Sequence, residues 1–308
     1  MKIIVTGGAG FIGSHIVDAY LERGHEVHVF DDLSTGQTAN LNPKAKLHEV
    51  DIAERGAATR LEQIKPEILC HHAAQMDVRH SVADPTFDAR VNILGFVNLL
   101  EAGKNSGLKK VIFASSGGAV YGEQETFPAA EDHLTRPASP YGVSKRAGEL
   151  SLSYYYQAFG LPYTALRYAN VYGPRQSTKG EAGVVAIFLS MLLQGKTPII
   201  NGDGRQTRDY VYVDDVVAAN IAALQADFVG EVNIGTGVET NVLEIFRNLR
   251  EALGSTTEAQ HGPAKPGEQR RSCIDARRAA QVLGWGAKIP LGEGLRRTAH
   301  WYRNSLSQ

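Results

Sequence analysis

The sequence predicts an α/β fold, a doubly wound parallel sheet accompanied by a smaller α/β unit, and three observations carry that expectation. Short apolar runs rich in β-branched residues alternate with helical stretches through about residue 168. A glycine-rich turn, Gly7-Gly8-Ala9-Gly10-Phe11-Ile12-Gly13, separates the first run from the first helix. Beyond residue 168 the elements shorten, and Gly, Pro and charge become more frequent.

The first strand covers residues 2–6 (KIIVT), a run with the look of a strand buried on both faces. The turn follows, then a helical pattern from about Ser14 to Arg23. Glycines at 7, 10 and 13 suit a tight turn, a close approach of backbone to a pyrophosphate, and close packing of helix on sheet. The free amides of the helix start would face the phosphates, with Phe11 and Ile12 beside them. A second strand near Glu26–Phe30 delivers Asp31 where an acid would accept from both hydroxyls of an adenine ribose and repel a 2′-phosphate. Asp32 either adds to this or is a turn residue. NAD is therefore the expected cofactor, on a Rossmann-type sheet.

Further strands are expected at Leu47–Val50, Glu67–Cys70, Lys110–Ala114 and Tyr163–Arg167. Helices fall near Arg55–Ile64, Pro85–Asn105 and Pro140–Phe159. Ligands in such sheets lie beyond the strand carboxyl ends, which singles out Asp51, Ile52, Ala73, Ala74, Ser115, Ser116 and Tyr168 to Asn170. Later elements are helices near Gly183–Gln194, Asp215–Gln225, Asn241–Leu253 and Leu291–Tyr302, and a strand at Tyr210–Val213. Residues 1–168 are read as the NAD-binding domain, with part of about 205–235 crossing back to it. Residues 169–308 are mainly a substrate-binding cap.

Composition narrows the class. A 308-residue chain, 43% hydrophobic with net charge −1, can bury a large core and gives no reason to expect nucleic acid or a membrane surface. Met1-Lys2 runs straight into the first strand without a leader pattern. No apolar run reaches the ~20 residues needed to span a bilayer, so a cytoplasmic protein is expected. The two cysteines, Cys70 and Cys273, are far apart and suggest neither a disulfide framework nor a thiolate metal site. His71 and His72 are adjacent on a strand, so they point to opposite faces, and no third ligand is evident. No metal is expected.

Tyr141 and Lys145 carry the chemistry. Ser139-Pro140 opens a helix well, with Ser as cap and Pro at the first helical position. Residues four apart share a face, so a phenol lies beside an ammonium. A neighbouring cation favours phenolate, which makes a base usable near neutral pH.

The loop TGGAGFIG, Asp31, HHAA at 71–74, SSGGAVYG at 115–122, YGVSK at 141–145 and RYANVYGPRQ at 167–176 together resemble the extended short-chain dehydrogenase/reductases. Within them the chain resembles nucleotide-sugar 4-epimerases of the UDP-glucose/UDP-galactose type. RDYVYVDD at 208–215 and KPGEQRR at 265–271 extend the likeness nearly end to end. The resemblance implies that Tyr141 takes the proton of the sugar 4-hydroxyl while retained NAD oxidises the same carbon, with Lys145 on the nicotinamide ribose. The 4-keto sugar would then turn over and be reduced on its other face. The resemblance also implies a cofactor contact at Asn92. Relatives place a Ser or Thr where this chain has Gly117, so Ser116, Ser115 or an ordered water takes its role; Ser116 is favoured. Dehydratases carry Asp-Glu at positions that are Gly118 and Ala119 here, and the related decarboxylases tend to keep the Glu. Neither residue present can transfer a proton, which favours epimerisation.

On the substrate side, the resemblance implies that Asn170 and Arg208 contact the nucleotide or its diphosphate. Lys265 stands where relatives have Arg, and Arg270 or Arg271 would compensate for its poorer geometry. Ser272 aligns with a position lining the sugar pocket, where a small residue admits an N-acetyl group; UDP-N-acetylglucosamine is then a second expected substrate. Arg277-Arg278 and Arg296-Arg297 read as solvated surface. The resemblance further implies a homodimer through helices near 86–104 and 141–159.

Overall fold

A computed structural model of the chain describes residues 1–178, 183–264 and 269–305. The elements of its first part are β1 (Lys2–Thr6), α1 (Phe11–Glu22), β2 (Glu26–Asp31), β3 (Lys46–Glu49), α2 (Arg55–Ile64), β4 (Ile68–His71), α3 (Val78–Ala83) and α4 (Pro85–Ala89). A π-helical turn over Arg90–Leu94 joins α4 to α5 (Gly95–Asn105), where the sequence reads as one uninterrupted helix. Then come β5 (Lys110–Ser116), the short α6 (Gly117–Val120), α7 (Pro140–Phe159) and β6 (Tyr163–Tyr168).

The second part holds β7 (Asn170–Tyr172), α8 (Val184–Leu193), β8 (Ile199–Asn201), β9 (Thr207–Tyr212), α9 (Val213–Gln225), β10 (Gly230–Ile234) and β11 (Glu239–Asn241). It ends with α10 (Val242–Leu253), β12 (Gln260–Gly262), β13 (Arg271–Ser272), α11 (Arg277–Leu283) and α12 (Leu291–Ser305).

Seven parallel strands form the main sheet in the order β10-β6-β5-β4-β1-β2-β3. Chain direction across the sheet reverses between β1 and β4, and that switch point is where a cleft opens in this architecture. Apolar residues of α1 and α9 cover one face, including Ile16, Val17, Tyr20, Val216 and Ala219. The other face is covered by α2, α5 and α7 through residues such as Leu61, Phe96, Leu99 and Leu152. Strand β10 is hard to read in the sequence, because Gly230–Ile234 carries only two β-branched apolar residues. Its pairing with β6 over five residues is settled by the sheet edge it completes.

Strand β9 pairs with β11, β13 and β7 in a small second sheet. Helices α8, α10 and α12 pack with it through Phe188, Ile245, Leu249 and Leu295. Two acids of the RDYVYVDD segment fix backbone turns. Asp209 accepts from the amides of Thr236 and Gly237, and Asp215 accepts from those of Lys288 and Ile289. Both are buried, and their hydrogen bonds offset what burial of a carboxylate costs.

Helix α7 lies close on the sheet because Gly148 has no side chain: a Cβ there would stand 2.5 Å from the Phe113 ring. Phe113 is itself 1% exposed and cannot yield. Gly148→Ala is expected to lower stability by about 1–3 kcal/mol through overpacking, read as a shift of the urea midpoint with an unchanged slope.

Candidate active site

The turn after β1 meets the segment after β4 at the switch point. Gly7 adopts φ +65°, and a Cβ on it would lie 2.7 Å from the Ala73 nitrogen and 2.8 Å from the His72 carbonyl carbon. A Cβ on Gly13 would collide with the Gly7 carbonyl oxygen. Two loops and a helix start therefore converge with backbone alone between them, which is the cradle a pyrophosphate requires. Phe11 and Ile12 form the first turn of α1 beside it. Gly10 precedes that turn, and its amide donates to the Gly7 carbonyl.

Asp31 ends β2 and is 7% exposed. Its carboxylate accepts from the Ala9 amide at 2.9 Å and the Leu33 amide at 2.9 Å. Burial pushes its pKa up, and the two amides oppose that. The acid is thus locked to the glycine turn itself, at the strand end where a ribose would lie. Asp32 is exposed and holds the amide and hydroxyl of Ser34, so it is the turn residue the sequence allowed for. Asp51 accepts from the Ala53 amide and pairs with Arg90 at 2.8 Å. Ile52 is buried against Gly95. Ala73 and Ala74 form the second loop without polar side chains, and the Ala73 amide donates to the Thr6 hydroxyl at 3.0 Å.

Helix α7 begins as the sequence predicts, with Ser139 accepting from the Gly142 amide and Pro140 at the first position. A Cβ on Gly142 would lie 2.7 Å from the Ala119 carbonyl oxygen, so the helix start sits directly against α6. That places Tyr141 beside the residues following β5. Lys145 Nζ lies 5.7 Å from the centre of the Tyr141 ring and donates to the Ala114 carbonyl at 2.8 Å. Burial brings the Lys145 pKa down to about 8, with Asp88 and Glu149 working against the fall.

Strand β5 runs through Ser116, two residues past its expected end, and the strand alternation separates the two serines. Ser115 is 3% exposed and its hydroxyl donates to Glu149 at 2.6 Å. Ser116, half-buried, makes no such side-chain bond among the described residues. A Cβ at Gly117 would stand 3.0 Å from two Ile274 side-chain atoms, which leaves little room for the Ser or Thr of relatives.

Three further expected residues have side-chain partners within the protein. The Asn92 amide is engaged with the backbone amide and carbonyl of Gln75 and with Asp88, so it shapes the loop after β4. The Tyr168 hydroxyl sits in the core with His72 and Asn220 at 3.0 and 2.8 Å, so only its backbone borders the cleft. The Arg270 guanidinium holds Asp203 with two bonds at the surface. Lys265 lies outside the described residues.

The substrate side does converge. A Cβ on Gly118 would lie 3.8 Å from Ser272 Oγ and 4.0 Å from Asn170 Oδ1, so these three surround one space. Arg208 of β9 is the register partner of Ser272, and its guanidinium reaches the Thr207 carbonyl at 2.8 Å.

Sequence reasoning missed Asp88, Ser144, Glu149 and Arg167. Asp88 is fully buried and accepts from the Ser144 hydroxyl, from Gln75 at 3.2 Å and from Asn92 at 3.0 Å. Glu149 had one available signal, its place four residues beyond Lys145. The histidines behave as expected: His71 stacks on Phe96 and Phe113, while His72 lies on the other face against Tyr168. Burial lowers the His72 pKa to about 3 and raises that of Cys70 to about 12, so both are neutral core groups. Among the described residues, no cluster of three or more His, Cys, Asp or Glu is placed to hold a metal, and no helix is long and apolar enough to cross a membrane.

The family model "NAD dependent epimerase/dehydratase family" matches residues 3–235. The UDP-glucose 4-epimerase of Mycolicibacterium smegmatis is 46% identical over 310 residues, covering 99% of each chain. Among solved structures, the UDP-glucose 4-epimerase of Thermotoga maritima with UDP-glucose superposes with TM-score 0.97 at 46% identity, covering 99% of this chain and 100% of its own. That of Thermus thermophilus in complex with NAD gives TM-score 0.94 at 43% identity, with the same coverage.

Two outcomes follow from this geometry. Gly13→Ala should release the dinucleotide on purification, read as loss of bound nucleotide in the absorbance of the denatured supernatant. The Lys145 pKa falls from the ordinary 10.5 to about 8 on folding, so the unfolded chain holds that proton more tightly. This group therefore costs stability below about pH 8, and the cost fades as pH rises from about 8 toward 10. Without cofactor, wild type should gain stability relative to Lys145→Met across that window in urea titrations.

Proposed function

The chain belongs to the NAD dependent epimerase/dehydratase family, and on that premise we propose that it is a nucleotide-sugar 4-epimerase, an NAD-dependent isomerase interconverting UDP-glucose and UDP-galactose. One observation carries the reading: the Tyr141–Lys145 face of α7 stands at the β5 end, in a cleft whose remaining local residues, Gly117, Gly118 and Ala119, hold no second acid. Dehydration needs such an acid and epimerisation does not.

NAD, when bound, supplies reversible oxidation of the sugar carbon. Its fit is supported by the backbone cradle of Gly7, Gly10 and Gly13 and by Asp31. Tyr141 takes the proton of the 4-hydroxyl and returns it after the sugar has presented its other face. Lys145 sets its positive charge by the ring, where a cation stabilises a phenolate. Ser116 is the hydroxyl best placed along β5 to donate to the reacting oxygen. Gly118 leaves open the space between Ser272 and Asn170 that a sugar needs to turn over. Asn170 and Arg208 serve the nucleotide diphosphate, Arg through its planar fork.

Ser272 is small and buried at the edge of the same space, which supports admission of an N-acetyl group. We also read residues 1–168, with part of about 205–235, as the cofactor half, and the rest as mainly the substrate half. A homodimer through α4–α5 and α7 is supported by Phe87, Leu94, Val143, Leu150 and Tyr154, large apolar side chains left exposed on those segments. Light scattering at the mass of one chain would contradict it.

The test is an NMR time course of purified protein with UDP-glucose and, separately, UDP-N-acetylglucosamine, with no NAD added. The 4-epimers should appear, and Tyr141→Phe should slow them by at least about 100-fold. Ser272→Tyr should suppress the acetylated substrate while sparing UDP-glucose; equal loss of both would refute the pocket assignment. Release of carbon dioxide or net NADH, with no epimer, would refute the epimerase reading.

A further inference from the structure

Glu149 is fully buried on α7, four residues beyond Lys145 and eight beyond Tyr141, along one side of the helix. It touches none of the reacting groups. One carboxylate oxygen accepts from Ser115 Oγ at 2.6 Å and from Arg167 Nε at 2.8 Å. The other accepts from Arg167 Nη2 at 2.8 Å and from Arg146 Nη1 at 2.8 Å. Ser115 lies on β5 and Arg167 on β6, so one side chain ties the helix to two strands.

Three consecutive residues of β5 are thereby set. The Ala114 carbonyl receives Lys145, the Ser115 hydroxyl is drawn inward to Glu149, and Ser116 follows on the opposite face of the strand. We propose that Glu149 is a positioning residue of the reaction, clamping α7 to the ends of β5 and β6 and so fixing where Tyr141, Lys145 and Ser116 stand relative to one another. The proposal rests on the reading of Tyr141 and Lys145 as the reacting pair. A buried carboxylate is an expensive anchor, and a purely apolar contact would hold the helix without fixing its register to within a hydrogen bond.

The clamp also acts on charge. Lys145 is faced by Glu149 on its own helix, by Asp88 of α4, by His71 of β4 and by His72 just beyond it. Glu149 is faced by Arg146, by Arg167 and Tyr163 of β6, and by Ser115 of β5. Its anion favours the ammonium of Lys145, opposing desolvation. Beside the clamp lies a polar cavity of about 420 Å³ bordered by Arg146, Glu149, Arg167, Glu131 and Glu231. Tyr141, Lys145 and Ser116 do not border it, so Arg146 approaches Glu149 from the side away from the chemistry.

The test compares Glu149→Gln, Ser115→Ala and Arg146→Gln with wild type. Readouts are kcat and KM for UDP-glucose across pH, and Lys145 titration by ¹³Cε-lysine NMR, its signal assigned by loss in Lys145→Met. In Glu149→Gln, kcat should fall about 10- to 100-fold with KM within about twofold. The Lys145 midpoint and the alkaline limb of kcat should both move to lower pH, by about one unit. Arg146→Gln should leave kcat within about twofold. A folded Glu149→Gln with wild-type kcat and titration overturns the proposal, as does an equal loss in Arg146→Gln. Should Glu149→Gln not fold, Ser115→Ala removes the β5 anchor alone: a lowered kcat with intact KM supports the clamp, and an unchanged kcat overturns it. Wild-type protein that turns over no sugar nucleotide would sink the reading of the reacting pair, while the titration arm still tests the clamp without substrate.

Discussion

The ammonium of Lys145 is a charged group in a site that leaves its residue 5% exposed, and that burial makes demands on every element around it. Desolvation alone would drive the proton off. The protein answers with a strand carbonyl, Ala114, and with two buried acids on different elements, Asp88 and Glu149. Each acid in turn requires its own donors. Ser144, Asn92 and Gln75 supply Asp88, while Ser115, Arg146 and Arg167 supply Glu149. A single buried charge thus recruits β5, β6, α4, the π-helical turn at Asn92 and the loop after β4.

Asn92 lies within the π-helical turn, and its amide reaches both Gln75 and Asp88. The loop it holds is the one whose backbone meets Gly7 at the switch point. The buried polar network around Lys145 and the dinucleotide cradle are therefore mechanically continuous, joined through residues 72–75. Satisfied networks of this kind specify one arrangement, because any partial version leaves buried charge without partners.

On the substrate side the dominant feature is missing volume. Gly117 and Gly118 remove side chains from the end of β5, and Ser272 keeps the facing position small. The chemistry of this reaction needs few groups but requires room for a sugar to be presented on both faces. Gly118 leaves room beside Ser272 and Asn170, whereas Ile274 already fills the position next to Gly117.

The sequence by itself determined the local pieces: the glycine turn and Asp31, the capped start of α7, the Tyr141–Lys145 spacing, and the alternation that makes a doubly wound sheet. Each of these is set by neighbours in the chain, through turn geometry, capping and helical period, so it can be read from spacing. Tertiary structure alone decided which way Ser115 and Ser116 face, that Tyr168 and Arg270 are committed elsewhere, and that Asn92 holds a loop. It also assembled Ser144, Asp88, Glu149 and Arg167 around the lysine. Those outcomes depend on pairing between residues 18 to 56 positions apart, and on desolvation, which has no signature in local sequence. A buried acid and a surface acid are the same letter until the fold removes the water.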